Sequence, residues 1–354
     1  MNRKAGSAFV KAALMGSVAA VIGASLFATH GMTDHGRTDH GMTDDPTAWR
    51  IAFARPSELA APEGGPDTAA QVDLGRTLFF DPVLSRSRTI ACATCHEPSR
   101  HWGDGRMRGI GEPGIELKLR TPTLLNTGWT APLGWDGKFP DLESVAFTPI
   151  TGPNLMNLSE EELIARLRAD PDYVAAFAST FEDREITRGG IERALAAFQR
   201  TIVSESAPFD RWRDGDASAV GASAKAGFAL FNGKAGCHEC HGGWAFTDGS
   251  FHDIGVGRGD DIGRGRLFPS SKGLQYAFKT PTLRDVAQRG PYMHDGSVAT
   301  LRDVIDLYDR GGIERPSRSP KIRPLHLSET EKADLLAFLD TLTAAEPKRK
   351  AASK

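Results

Sequence analysis

The sequence predicts a mainly α-helical chain made of two related halves, and three observations lead there. Apolar residues recur at helical spacing along most of the chain, and no long alternating run is present. All four cysteines fall into two Cys-x-x-Cys-His pentads, Cys92-Ala93-Thr94-Cys95-His96 and Cys237-His238-Glu239-Cys240-His241. The strip Thr121-Pro122-Thr123-Leu124 returns as Thr280-Pro281-Thr282-Leu283, and the step from Pro122 to Trp135 equals that from Pro281 to His294. Both are followed by Asp-Gly, after which Leu142 and Val145 match Leu301 and Val304 in register. Order and spacing repeating together indicate a duplication.

Composition sets the frame. The 354 residues are 40% hydrophobic and 25% charged, which is ordinary for a globular protein and long enough for two cores. A formal net charge of −2 argues against nucleic acid or an anionic membrane as an electrostatic partner.

Arg3 and Lys4 precede an apolar run over 12–28, so 1–28 reads as a secretory signal or an uncleaved N-terminal membrane anchor. Residues 29–48, with GMTDHGRTDHGMTDD at their centre, read as a disordered His/Asp/Gly linker. His35 and His40 in it are solvated rather than metal-binding. An exported, periplasmic body is expected, divided into 49–215 and 216–345, with a basic tail over 346–354.

A helix is expected from Asp67, burying Ala70, Leu74, Leu78 and Phe79 and ending at Pro82. After the first pentad comes an irregular Gly-rich loop over 103–114. Ser159 and Glu162 form a capping box ahead of an apolar stripe through Leu163, Leu167, Tyr173, Val174 and Phe177. Another amphipathic helix runs over 187–203, and 206–223 reads as a connection between halves. A helix over 224–231 leads into the second pentad, and Ser328 with Glu331 caps a closing helix through Leu335, Leu336, Leu339 and Leu342.

Cys-x-x-Cys-His is the attachment signature of c-type haem. Two thiols one turn apart can each add to a haem vinyl group, and the adjacent imidazole becomes the axial ligand. A redox pair or a four-cysteine zinc site uses similar spacings. The histidine after each pair favours two covalently bound haems c, with Cys92, Cys95, His96, Cys237, Cys240 and His241 as their residues.

Together the pentads, Trp135-Asp136-Gly137, the Thr-Pro-Thr-Leu strips and Pro291-Tyr292-Met293-His294-Asp295-Gly296 resemble the bacterial di-haem cytochrome c peroxidase and MauG family over about residues 67–345. The resemblance implies two cytochrome c-like α domains, each with one covalent haem, the first meeting hydrogen peroxide and the second transferring electrons. It implies a bridging role for Trp135 and a place for His294 beside the second haem. Its sixth-ligand position, fourteen residues after His294, holds Tyr308 where cytochrome-oxidising members have Met, so the likeness is to the His/Tyr-ligated, MauG-like branch. A phenolate stabilises oxidised iron where a thioether favours reduced iron. The rival arrangement has Tyr308 in the core and Met293 on the iron.

The chain departs from the family's pattern at several positions. The distal Glu and Gln places hold Leu155 and Val145, which weakens the expectation of peroxide cleavage. Glu112 and Glu116 are substitute carboxylates, although surface exposure is the usual fate of glutamate. Glu112 stands where relatives keep a blocking histidine, so an open first haem is expected, with His101 the nearest alternative ligand. The family's calcium between domains uses an Asn where Arg120 stands, so calcium is not expected, and the guanidinium can bond the same carbonyls. The implied donors are a small periplasmic c-type cytochrome, a copper protein, or a protein substrate. The alternative is a non-catalytic di-haem module for electron relay or redox and gas sensing.

Overall fold

The computed structural model describes residues 47–344 apart from 58–61, 63, 64 and 113. The expected signal segment, nearly all of the linker and the basic tail lie outside the described residues.

The protein is mainly helical. Among the described residues, strand is confined to two antiparallel ladders, Ile110–Gly111 with Ile115–Glu116 and Phe251–His252 with Phe278–Lys279. Each half is built on two crossing helices. Ala69–Phe80 packs across Arg188–Arg200 in the first, and Ala222–Asn232 across Glu329–Asp340 in the second. A glycine permits each crossing: a Cβ on Gly75 would lie 1.8 Å from the Ala194 carbonyl oxygen, and one on Gly227 1.9 Å from that of Asp334. One turn further on, Phe79 meets Phe198 at 5.1 Å between ring centroids, and Phe231 meets Phe338 at 5.0 Å. The same joint is therefore made twice.

The local signals mostly hold. Leu74, Leu78 and Phe79 are buried as expected, but Ala70, in the first turn, is exposed. Ser328 and Glu331 form a complete capping box. At Ser159 only half forms, because the Glu162 carboxylate takes Arg166 at 2.6 Å instead of the cap's N–H. The stripe beyond it is two helices, Glu160–Arg168 and Pro171–Thr180, since Pro171 starts a new one, and Val174 stays exposed.

Two readings are corrected. The connection over 206–223 contains the helix Pro208–Arg213, whose Phe209 is fully buried and whose Asp210 meets buried Arg284 at 2.6 Å. Trp49 and Phe53, expected with the first half, sit in the second core against Phe209 and Phe228. Periodicity reports which face is apolar, not which distant ring cluster receives it.

The Thr-Pro strips lie between the cores and bond reciprocally. Arg120 donates its backbone N–H to the His294 carbonyl, and Lys279 donates to that of Trp135, each at 2.8 Å. Arg120 and Lys279 are repeat mates, as are Trp135 and His294. This exchange brings both pentads to one internal space.

Candidate haem sites

A cavity of about 440 Å³ runs between the halves and is lined mainly by apolar side chains, with His96, Trp135, His241 and Tyr308 on its wall. Each pentad histidine is fixed from behind. The His96 Nδ1–H donates to the Trp102 carbonyl at 3.2 Å and the His241 Nδ1–H to that of Phe246 at 3.0 Å. Nε2 is thus left as the ligating atom, the usual device for orienting a metal-bound imidazole. Burial holds both imidazoles below their ordinary pKa, so they are neutral, as ligands must be.

The Thr-Pro-Thr strips serve this arrangement. Thr123 Oγ1 donates to the His101 carbonyl at 2.6 Å and Thr282 Oγ1 to that of Ala245 at 2.5 Å, each one residue before the carbonyl that holds the imidazole. Sequence reasoning found the repeat and missed this support, though the recurring second threonine was its trace.

The four cysteines are not in disulfides. Burial pushes the Cys92 and Cys237 thiols up to about 12, so without a metal they are protonated. The two pairs do not converge. Among the described residues the group with metal-binding spacing is Cys240, Asp248 and His252, which contains one cysteine. An apolar cavity with two neutral imidazoles and paired thiols suits two haems c.

Tyr308, on the helix Leu301–Arg310, lines the cavity, and burial pushes its phenol well above the ordinary range, with Cys240 and Cys237 adding to the shift. Ionising it requires the charge of a metal. Its repeat mate is Pro149, which also lines the cavity and offers no ligand atom. Trp135 donates Nε1–H to the Arg120 carbonyl at 2.8 Å, with its ring 6.4 Å from that of His294. His294 stacks on Phe278 at 3.5 Å and pairs with Asp261 at 2.6 Å. Met293 and Val145 line the cavity too.

Glu112 corrects the expectation of exposure. It is 6% exposed, with one carboxylate oxygen accepting from the Ser87 N–H at 2.8 Å and the other buried without a partner. Its own N–H donates to the Leu155 carbonyl at 2.7 Å, which ties the Gly-rich loop to the Leu155 segment. Neither Glu112 nor Leu155 is on the cavity wall. Glu116 is exposed. His101 is held 3.4 Å from Asp285 and is not among the cavity-lining residues. Arg120 bonds the Arg289 carbonyl, two residues before Pro291, through Nη2.

Comparison with known proteins agrees with this geometry. The di-haem cytochrome c peroxidase profile matches residues 69–218. The methylamine utilization protein MauG of Methylorubrum extorquens is 50% identical over 302 residues, 85% of this chain and 86% of that protein. The chain belongs to the di-haem cytochrome c peroxidase and MauG family. Within it, the cytochrome c551 peroxidase of Nitrosomonas europaea is 32% identical over 286 residues, 80% of this chain and 82% of its own. A crystal structure of a MauG-like protein associated with microbial copper homeostasis superposes with a TM-score of 0.77 at 32% identity, covering 83% of this chain and 96% of that one. The family is one of haem oxidoreductases, which implies haem as the cofactor. No described helix is long and apolar enough to cross a membrane.

Proposed function

We propose that the chain is an exported MauG-like enzyme that reduces hydrogen peroxide at the His96 side of the cavity and draws the electrons from an external donor through the Tyr308 side. The balance is one peroxide, two protons and two electrons to two waters. When bound, the two haems supply the redox chemistry. The protein's own residues orient them, keep water out, move protons and carry electrons.

One observation supports this above the rest: at the same repeat position the first half presents Pro149 and the second Tyr308. With haem bound, the first side would offer no protein ligand atom at this position and so leave room for an oxidant. The second would offer the Tyr308 oxygen, a donor that tolerates oxidised iron. Trp135, bonded to one strip and adjacent to the other, is the relay between the sides. Glu112, with a buried free carboxylate oxygen, is the candidate proton carrier in place of the acid missing at Leu155, and acts from behind the cavity wall, through water. The Tyr308 ligand favours a protein substrate over a small cytochrome or copper-protein donor. The periplasm is the place of work.

Val145 on the cavity wall favours a second reading, relay or sensing without turnover, because no polar group stands there to assist O–O cleavage. Stopped-flow optical spectroscopy and EPR of the purified diferric protein with stoichiometric peroxide separate the two. Rapid loss of both ferric signals, reversed by an added donor, is expected. Unchanged or slowly bleaching haems reject the enzyme reading.

A further inference from the structure

Arg120 and Arg289 come from opposite halves and are 8% and 7% exposed. Arg120 donates through Nη2 to the Arg289 carbonyl, and Arg289 through Nη2 to that of Thr282, which leaves the Nε of each buried without a partner. No ion pair to either occurs among the described residues. The nearby carboxylates are engaged elsewhere. Asp104 accepts from Thr121 Oγ1 at 2.8 Å and the Arg106 N–H at 3.0 Å, and Asp285 accepts from the Ala344 N–H at 2.9 Å and faces His101. Two adjacent, desolvated cations without a counter-ion are costly. That strain is reflected in Arg289, which burial and then Arg120 lower to about 10.

Arg120 and Arg289 both line the large cavity, and both also line a smaller polar one of about 200 Å³ whose other polar side chains are Ser99, Arg100, His101 and Gln288. The pair therefore stands as a charged wall between an apolar haem space and a basic polar pocket. Guanidinium groups bind carboxylates by paired, charge-assisted hydrogen bonds.

We propose that Arg120 and Arg289 form one carboxylate-binding site shared by the two halves. The carboxylate comes from a haem propionate on the cavity side or from a small free carboxylate entering through the polar pocket. The inference rests on the reading that haems fill the large cavity, and pyridine-haemochrome quantification checks that premise separately.

The test uses the haem-loaded protein and the variants Arg289→Gln and Arg120→Gln, with Arg289→Lys and Arg120→Lys preserving charge. If a propionate is bound, resonance Raman shows its bending band displaced in both Gln variants, and the midpoint potential of one haem falls and becomes pH-dependent. The Lys variants restore the potential. If a free carboxylate is bound, the Raman band stays put, while acetate raises the melting temperature of the wild type and loses that effect in the Gln variants. A Gln variant that fails to load haem leaves the wild type to decide. There, either a potential flat with pH through the propionate range or saturable acetate stabilisation supports the site. Absence of both, or Gln variants indistinguishable from wild type in every readout, overturns it. None of these measurements involves peroxide, so the outcome is independent of turnover.

Discussion

The two halves of the molecule share a scaffold and differ at the chemistry. Both have the glycine crossing, the threonine behind the histidine, a left-handed residue opening the next turn at Asn126 and Asp285, and an Asp-Gly element. Where they part is the line of residues facing the cavity: Trp135 against His294, Pro149 against Tyr308, Arg120 against Lys279. Duplication has kept the parts that fix an imidazole and released those that face the distal side. Lys279 illustrates the release, since burial lowers its ammonium to about 8 while Arg120 keeps its charge in a similar setting.

The largest effect is expected from erasing the asymmetry at Tyr308. Tyr308→Met gives the second side a thioether donor, which favours reduced iron. The expected outcome is a raised midpoint potential, a Met-type near-infrared band, and failure of stoichiometric peroxide to deplete both ferric EPR signals. An unchanged spectrum would place Tyr308 outside the coordination sphere.

The scaffold comparison is sharpened by Gly75→Leu and Gly227→Leu. Each puts a side chain where a partner backbone carbonyl already lies, so each should destabilise by about 1–3 kcal/mol or more. Thermal melts of the haem-loaded variants measure this. Similar losses support one joint made twice, whereas a neutral result at either glycine breaks the equivalence.

Trp135→Phe should keep both haem spectra and slow oxidation of the second haem after peroxide by about tenfold, which is about 1.4 kcal/mol of barrier. Trp135→His, which installs the repeat mate, separates the indole's relay function from ring packing. Rates equal to wild type in both variants would reduce Trp135 to a wall residue held by the Arg120 carbonyl.

Much of this was legible in the sequence. The pentads, the repeated strips and the helix caps are local signals, and local chemistry decides them. What was hidden depends on long-range approach. Nothing adjacent to Glu112 announces that Leu155 and Ser87 will enclose it. The polar look of 206–223 concealed Phe209 and Asp210, because a single buried ion pair with Arg284 has no periodicity. Trp49 and Phe53 stood beside a disordered-looking repeat and were assigned to the half nearest in sequence rather than in space.

The smallest effect at neutral pH concerns a segment that the first half lacks. Asp104 and Asp248 each follow by two residues the carbonyl that holds a histidine, yet 17 residues separate Asp104 from Thr121 while 32 separate Asp248 from Thr280. The longer loop is anchored by Asp253, which is 1% exposed and bonded by Arg315 through Nε at 2.7 Å and Nη2 at 2.6 Å, and by Ser317 at 2.7 Å. Burial alone would raise this carboxyl's pKa, but the bonds from Arg315 and Ser317 and the Gly255 N–H hold it below the ordinary value. A depressed folded-state pKa means that the stabilisation is fully present above the unfolded value, about 3.9, and is lost as pH falls through the lower folded one. The melting temperature of the wild type should therefore fall with acid in that window, and Asp253→Asn should show a shallower slope there. Amide exchange should locate the acid-labile protection in the second half's loop, since the first half has no counterpart to anchor. Equal slopes in the two proteins would mean that Arg315 and Ser317 hold the loop without the carboxylate's charge.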